Sequence, residues 1–412
     1  MANWTCGNCT AHFEPQYSTH VYTKRVEQLI YDWRPGLAPL FIYVAWQAVH
    51  EPLELPPSTA ELSDLTGNAS PGSTVATILD RSRRVYNGML AVLDEGIGNI
   101  SAALREASLA NDTVLVLSND NGGMSGTYGM ACCQCGTSCG GLNYPYRGWK
   151  DSFWEGGFRG IGLVHSPLLL PHMVGTSYVQ LLWVGDWFRT LLSAALSRDS
   201  ASRRSAAWVA LRPLLGIGPI DSVDHWAALG RIRDAEEAPA HGREPQPPRS
   251  ELVLAGLDSD RRAAAIRVGR YKLLLGAWGD DRWCDLNVSE ASPAYPAPSN
   301  ADGLGGEGGL WCMHLPKEQG EPRPAARYKR PRAPTEWFGL PTRGLYDVVA
   351  DPREMHDIQH THPQVVAMLA ARLAYWNRTT AQSAHRPNDP MGAAHATTTH
   401  CWGPWRDGTW QT

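Results

Sequence analysis

The chain has 412 residues, 43% of them hydrophobic, and a formal net charge of −4, which suits one large domain plus a smaller one. Nothing in so small a net charge points to a nucleic-acid or membrane surface as the main partner. No run approaches the roughly 18 apolar residues of a membrane span; the strongest, 39–46 and 163–171, are strand-sized.

Met1 to Thr10 contains Trp4, Cys6 and Cys9 but no basic start followed by an apolar run, so a secretory leader is not visible there. Asn-x-Ser/Thr acceptors at Asn3, Asn8, Asn68, Asn99, Asn111, Asn287 and Asn377 nevertheless suit the secretory pathway. The expectation is a secreted, lysosomal or other endomembrane-lumen protein whose true beginning lies upstream. Leu40 to Trp46 is continuously apolar and predicts a buried central strand of a parallel sheet. Ile78, Val85, Met89, Val92, Leu93, Ile97, Ile100 and Leu104 recur at helical spacing and predict a long crossover helix within 76–107. Thr113 to Ser118 predicts a second buried strand, completing a βαβ unit.

A loop over 122–148 leads through Trp149 to Gly160 into a strand at Ile161 to Val164, with a helix over 183–195 beside it. The charged, Pro-rich stretch 231–249 predicts a linker. Beyond it, 251–257, 263–268 and 271–275 predict short antiparallel strands, 293–334 a long irregular loop, 345–348 a strand and 363–377 a closing amphipathic helix. The fold class expected is α/β: a mostly parallel sheet flanked by helices over 1–249, and a smaller α+β domain with antiparallel strands over 250–412.

Ligands of open parallel sheets gather beyond the carboxyl ends of the strands, where His50 and Asp120-Asn121 both fall. Asp120-Asn121-Gly122-Gly123 reads equally as a hydrophilic turn or as two oxygen donors for a hard cation, calcium or magnesium before zinc. His50 either caps its strand or donates to an anionic oxygen. Lys150 is either a solvated lysine or, among Trp149, Phe153 and Trp154, a point charge for sulfate or phosphate; Arg147 and Arg159 are weaker candidates of the same kind. Cys132, Cys133, Cys135 and Cys139 allow zinc or disulfides, and disulfides are preferred because no histidine lies among them and the acceptor sites point to an oxidising compartment.

Several segments, in order and spacing, resemble arylsulfatase B and its close relatives. They are Tyr22-Thr23-Lys24-Arg25, Pro39 to Tyr43 with Val49-His50-Glu51-Pro52-Leu53, Ser118 to Gly123, Arg147-Gly148-Trp149-Lys150 and Trp154 to Gly160. The likeness continues through Ala265-Ile266-Arg267, Tyr271 to Leu274, Leu345-Tyr346-Asp347, Asp351-Pro352-Arg353-Glu354 and Trp402 to Trp405. The resemblance implies an alkaline-phosphatase-like fold, calcium held by Asp120 and Asn121, and His50 and Lys150 on the sulfate or the departing ester oxygen. It implies a small-molecule or glycan sulfate ester as partner. In that family the nucleophile is a formylglycine made from a cysteine in a Cys-x-Pro-Ser-Arg motif, and none of the nine cysteines here has that setting. The expected activity is therefore sulfuric ester hydrolysis by the family, with the chain as it stands inactive. The alternative is a non-catalytic binder of sulfated glycans. A phosphodiester hydrolase of the same superfamily is disfavoured by the single Asp-Asn pair.

Overall fold

The structure is a computed structural model that describes residues 16–34, 39–56, 81–124, 140–150, 152–169, 171–196, 221–229, 247–255, 263–276, 283–285, 311–313 and 342–379. The cysteine-rich loop, Trp402 to Trp405 and most of the 231–249 stretch lie outside these residues.

Two helices, α1 (Ser18–Asp32) and α2 (Arg81–Glu106), form a layer of their own. Val26 and Ile30 of α1 meet Ile100 and Ala103 of α2 in a buried cluster. The helices approach closely at Gly96, where a Cβ would stand 2.6 Å from Thr23 Oγ1. The α1 helix escaped the sequence reading because its inward face is half threonine: Thr19 and Thr23 are buried beside Val26 and Ile30. Thr23 satisfies its hydroxyl on the Thr19 carbonyl at 2.8 Å, which lets a polar side chain occupy a helix interface.

Strand β1 (Leu115–Ser118) pairs antiparallel with β2 (Gly162–His165), Leu115 opposite His165 and Ser118 opposite Gly162. Two short helices, α3 (Glu155–Phe158) and α5 (Trp226–Leu229), and the longer α4 (Asp186–Ala195) complete this half.

A four-stranded antiparallel sheet follows, ordered β3 (Glu251–Ala255), β4 (Ala263–Val268), β5 (Tyr271–Gly276), β8 (Thr342–Asp347). Because side chains alternate across a strand, the sheet has two apolar faces. Ala264, Ile266, Leu273 and Leu345 pack under Leu369 and Leu373 of helix α6 (Pro363–Thr379). Ala263, Ala265, Leu274 and Tyr346 pack on Phe153 and Trp154. Each large apolar side chain so buried contributes about 1.5–3 kcal/mol, so the segment preceding α3 is bound firmly to this sheet.

The described strand pairs depart from the expected parallel order. Residues 39–46 run extended without strand pairing among the described residues. Ile42, Val44 and Trp46 lie on the α1/α2 layer, whereas Phe41 and Tyr43 are 74% and 83% exposed. An unbroken apolar run therefore has one covered face and one open face, and the predicted burial on both sides is corrected. Residues 113–118 find their partner in β2 instead, and antiparallel. The expected irregular loop at 293–334 contains β7 (Trp311–Met313), which pairs with β6 (Trp283–Asp285) and sets Cys312 opposite Cys284 in register.

Candidate functional site

The site is assembled by main-chain contacts at the end of β1. Asn119 holds the turn: its Oδ1 accepts the Ile161 N–H at 2.6 Å and its Nδ2 donates to the Asn121 carbonyl at 2.7 Å. Asp120 Oδ1 accepts the Asn121 N–H at 2.8 Å, and Asn121 Nδ2 donates to the Gly122 carbonyl at 2.8 Å. With its nitrogen so engaged, the half-buried Asn121 side chain keeps its amide oxygen as an acceptor, next in sequence to the exposed Asp120. Gly122 N–H then donates to the Gly157 carbonyl at 3.0 Å.

Gly122 has to be glycine, because a Cβ there would stand 1.7 Å from the Gly156 carbonyl oxygen, a backbone atom that no rotamer change can remove. Gly122→Ala is expected to push the turn off α3 and cost about 1–3 kcal/mol, as overpacking does. A thermal melt of the variant checks this; an unchanged midpoint would show that the two loops do not depend on each other.

Lys150 arrives from the other side. Its N–H donates to the Gly123 carbonyl at 3.3 Å, and Asn143 braces the same point, accepting from Gly123 N–H at 2.8 Å and donating to the Gly123 carbonyl at 2.8 Å. The chain turns toward Lys150 at Gly148, whose φ of +74° lies in the region that favours glycine. The Lys150 ammonium then lies 3.3 Å from His50 Nε2, across 100 residues of sequence.

His50 Nδ1 is 2.9 Å from the Glu51 carbonyl oxygen. A carbonyl only accepts, so Nδ1 carries the hydrogen and Nε2 presents its lone pair to the ammonium. The imidazole touches the amine, and the amine's own peptide is bonded to Gly123, two residues beyond Asn121. An ammonium beside an imidazole can hold a tetrahedral oxyanion, the ammonium as a fixed charge and the imidazole as proton donor or acceptor.

The weaker candidates have other partners. Arg147 is 6% exposed, donates to the Glu354 carbonyl at 3.2 Å and stacks over the Trp154 ring at 3.7 Å. Arg159 lies over the Tyr146 ring and 3.8 Å from Glu155. Arg83 reads in the sequence only as a member of the polar face of the 76–107 helix, and Tyr86 carries no signal there at all. Arg83 donates to the Gly140 carbonyl at 2.7 Å and sits over Tyr86. Burial, and the nearby Asp120 charge after it, push the Tyr86 phenol up against the opposing effect of Arg83. Among the described residues no group of three or more His, Cys, Asp or Glu side chains could hold a metal ion. Asp120 and Asn121 supply two oxygen donors, the chemistry of a hard cation.

A family model described as Sulfatase matches residues 2–197 of the chain. Over 394 residues the chain is 29% identical to Arylsulfatase J of Mus musculus, covering 94% of this chain and 53% of that protein. Steryl-sulfatase of Rattus norvegicus is 37% identical over 82 residues, 20% of this chain and 14% of the relative. The chain thus spans about half the length of the arylsulfatase it matches along most of its own length. The crystal structure of Ps i-CgsB in complex with k-i-k-neocarrahexaose superimposes with a TM-score of 0.53 at 16% identity, covering 93% of this chain and 60% of that one. The structure of Ps i-CgsB without that ligand matches equally. The fold is α/β of the alkaline-phosphatase-like kind, with an antiparallel sheet and a closing helix in its C-terminal region.

Proposed function

We propose that the protein belongs functionally to the sulfuric ester hydrolases of the arylsulfatase type, and that its site binds the sulfate group of an aryl or glycan ester. The observation that carries this reading is the Lys150–His50 contact of 3.3 Å beside the Asp120-Asn121 turn. Lys150 fixes the anion, and His50 exchanges a proton with the ester oxygen as it leaves. Asp120 and Asn121 would hold calcium, which stabilises charge on sulfate oxygens when bound; roughly six to eight oxygens surround such an ion, so other donors join these two. The division of the chain into a catalytic part over 1–249 and a smaller part over 250–412 belongs to the same reading. So does a secreted or lysosomal lumen location, which the exposed Asn99 and Asn111 acceptors favour.

For the 412-residue chain itself the expectation is binding without turnover, since no cysteine lies in a Cys-x-Pro-Ser-Arg setting. Calorimetric titration of the purified chain with inorganic sulfate in the presence of calcium tests the site. Lys150→Ala is expected to weaken binding about 10- to 100-fold, the range of a lost charge-assisted hydrogen bond; equal affinity in the variant would sink the assignment. Turnover of an aryl sulfate that disappears in His50→Ala would overturn the expectation of binding alone and leave the site standing.

A further inference from the structure

The segment that carries Lys150 does not stand on its own half of the chain. Lys272, on the central strand β5, is fully buried, with its ammonium 3.0 Å from Glu155 Oε1 and 2.9 Å from Glu354 Oε1. The contact to Glu354 Oε1 lies outside hydrogen-bond geometry and is Coulombic. Glu354 Oε2 in turn accepts the Glu155 N–H at 2.6 Å, at the first residue of α3. The Glu354 carbonyl accepts from Arg147, so the 147–158 segment is held at both ends by one residue of the C-terminal part. Beside that clamp, Gly156 N–H donates to the Arg147 carbonyl at 2.7 Å, and Lys150 lies in sequence between the two anchors.

Glu354 shows what this arrangement demands. Its φ is +55°, a conformation that costs a residue with a Cβ about 1 kcal/mol or more and that glycine or asparagine would adopt readily. A glutamate persists in such a place when its side chain is needed there. Here both its carboxylate and its carbonyl reach the same segment.

We infer that Lys272, Glu155 and Glu354 are positioning residues for Lys150: the triad fixes the 147–158 segment so that the ammonium meets His50, and the C-terminal sheet thereby sets sulfate affinity. The inference rests on the site proposed above. Lys272 and Glu354 are fully buried and act through the backbone that carries Lys150.

The test uses the full 412-residue chain, inorganic sulfate as probe, and Lys150→Ala, Lys272→Met and Glu354→Gln. Glu354→Gln changes no volume, so it reports even where Lys272→Met does not fold. Sulfate affinity is expected to fall about tenfold or more in Glu354→Gln, in line with what small misplacements of a binding group cost. Amide hydrogen exchange is expected to speed up in 147–158 while β4 and β5 keep their protection, a pattern that a general loss of stability would not produce. Unchanged affinity in folded Glu354→Gln, alongside weakened binding in Lys150→Ala, would overturn the positioning role and keep the site. Unchanged affinity in Lys150→Ala would overturn the site, and the positioning role with it.

Discussion

Replacing Lys272 with methionine is expected to destabilise the protein by about 3–5 kcal/mol, the cost of removing one partner from a buried ionic cluster. The ammonium has no exposure, and the two carboxylates around it are 4% and 0% exposed at the residue level, so neither can turn to water when the cation is lost. Restoring balance should restore stability: removing all three charges at once, with apolar residues of similar volume, is expected to return much of the loss. Urea midpoints of the single and triple variants measure both. A single variant as stable as the wild type would mean that water reaches the cluster.

The same cluster predicts a pH profile. Burial pushes the Glu155 carboxyl up, but the charge and hydrogen bond of Lys272, with Arg267 and Arg159, outweigh it and hold the group below its ordinary value of 4.5. Its contribution is therefore present above pH 4.5 and disappears as the pH falls through the depressed value. Burial would lower the Lys272 value, yet Glu354 and Glu155 together raise it above 10.5. That contribution is complete below 10.5 and is lost as the pH climbs through the raised value. Glu354 runs the other way from Glu155: burial and the Glu155 charge raise it against the effect of Lys272.

The second large effect is expected at Asp186, which has no exposure and gathers five donors. It accepts from Trp183 N–H at 2.9 Å, Val223 N–H at 2.8 Å, His225 Nε2 at 3.2 Å and both arms of the Arg249 guanidinium. A carboxylate only accepts, so His225 carries its hydrogen on Nε2 and receives the Tyr178 hydroxyl on Nδ1 at 2.7 Å. Burial raises the Asp186 carboxyl, and Arg249, His225 and the two N–H groups overcome that and hold it far below 3.8. Burial, then the Asp186 charge, pushes the Tyr178 phenol up to about 12.

Asp186→Ala leaves a guanidinium and a fully buried imidazole without their acceptor and is expected to cost about 3–5 kcal/mol. Because the native value is depressed, the wild type keeps this contribution above pH 3.8 and loses it as the pH falls below. Asp186→Asn should lack that acid limb. Parallel urea titrations between pH 3 and pH 7 check the sign; equal slopes for the wild type and Asp186→Asn would contradict it.

Which parts of the molecule could be read beforehand follows from how local each signal is. The α2 and α6 helices and the β4–β5 hairpin declared themselves because their apolar periodicity lies within a single segment, and the structure places them within a few residues of the expected bounds. His50, Lys150, Asp120 and Asn121 were legible as candidates from residue type, strand-end position and family likeness. That the first two touch, and that Lys150 is bonded to Gly123, required coordinates.

The sequence by itself determined α2, α4, α6, the strands of the C-terminal sheet and the polar residues gathered at strand ends, but neither α1 nor the β6–β7 pair. Only the tertiary structure decided who faces whom. It turned the apolar run 39–46 into a segment covered on one side, gave β1 an antiparallel partner, and took Arg147 from the anion to Glu354. It also buried Lys272, a residue that a strand reading would leave in water. The physical reason is that periodicity records how a segment divides polar from apolar, whereas an ion pair or a strand partner depends on groups far away in sequence, from Leu115 with His165 to Arg147 with Glu354, whose arrival no local pattern encodes.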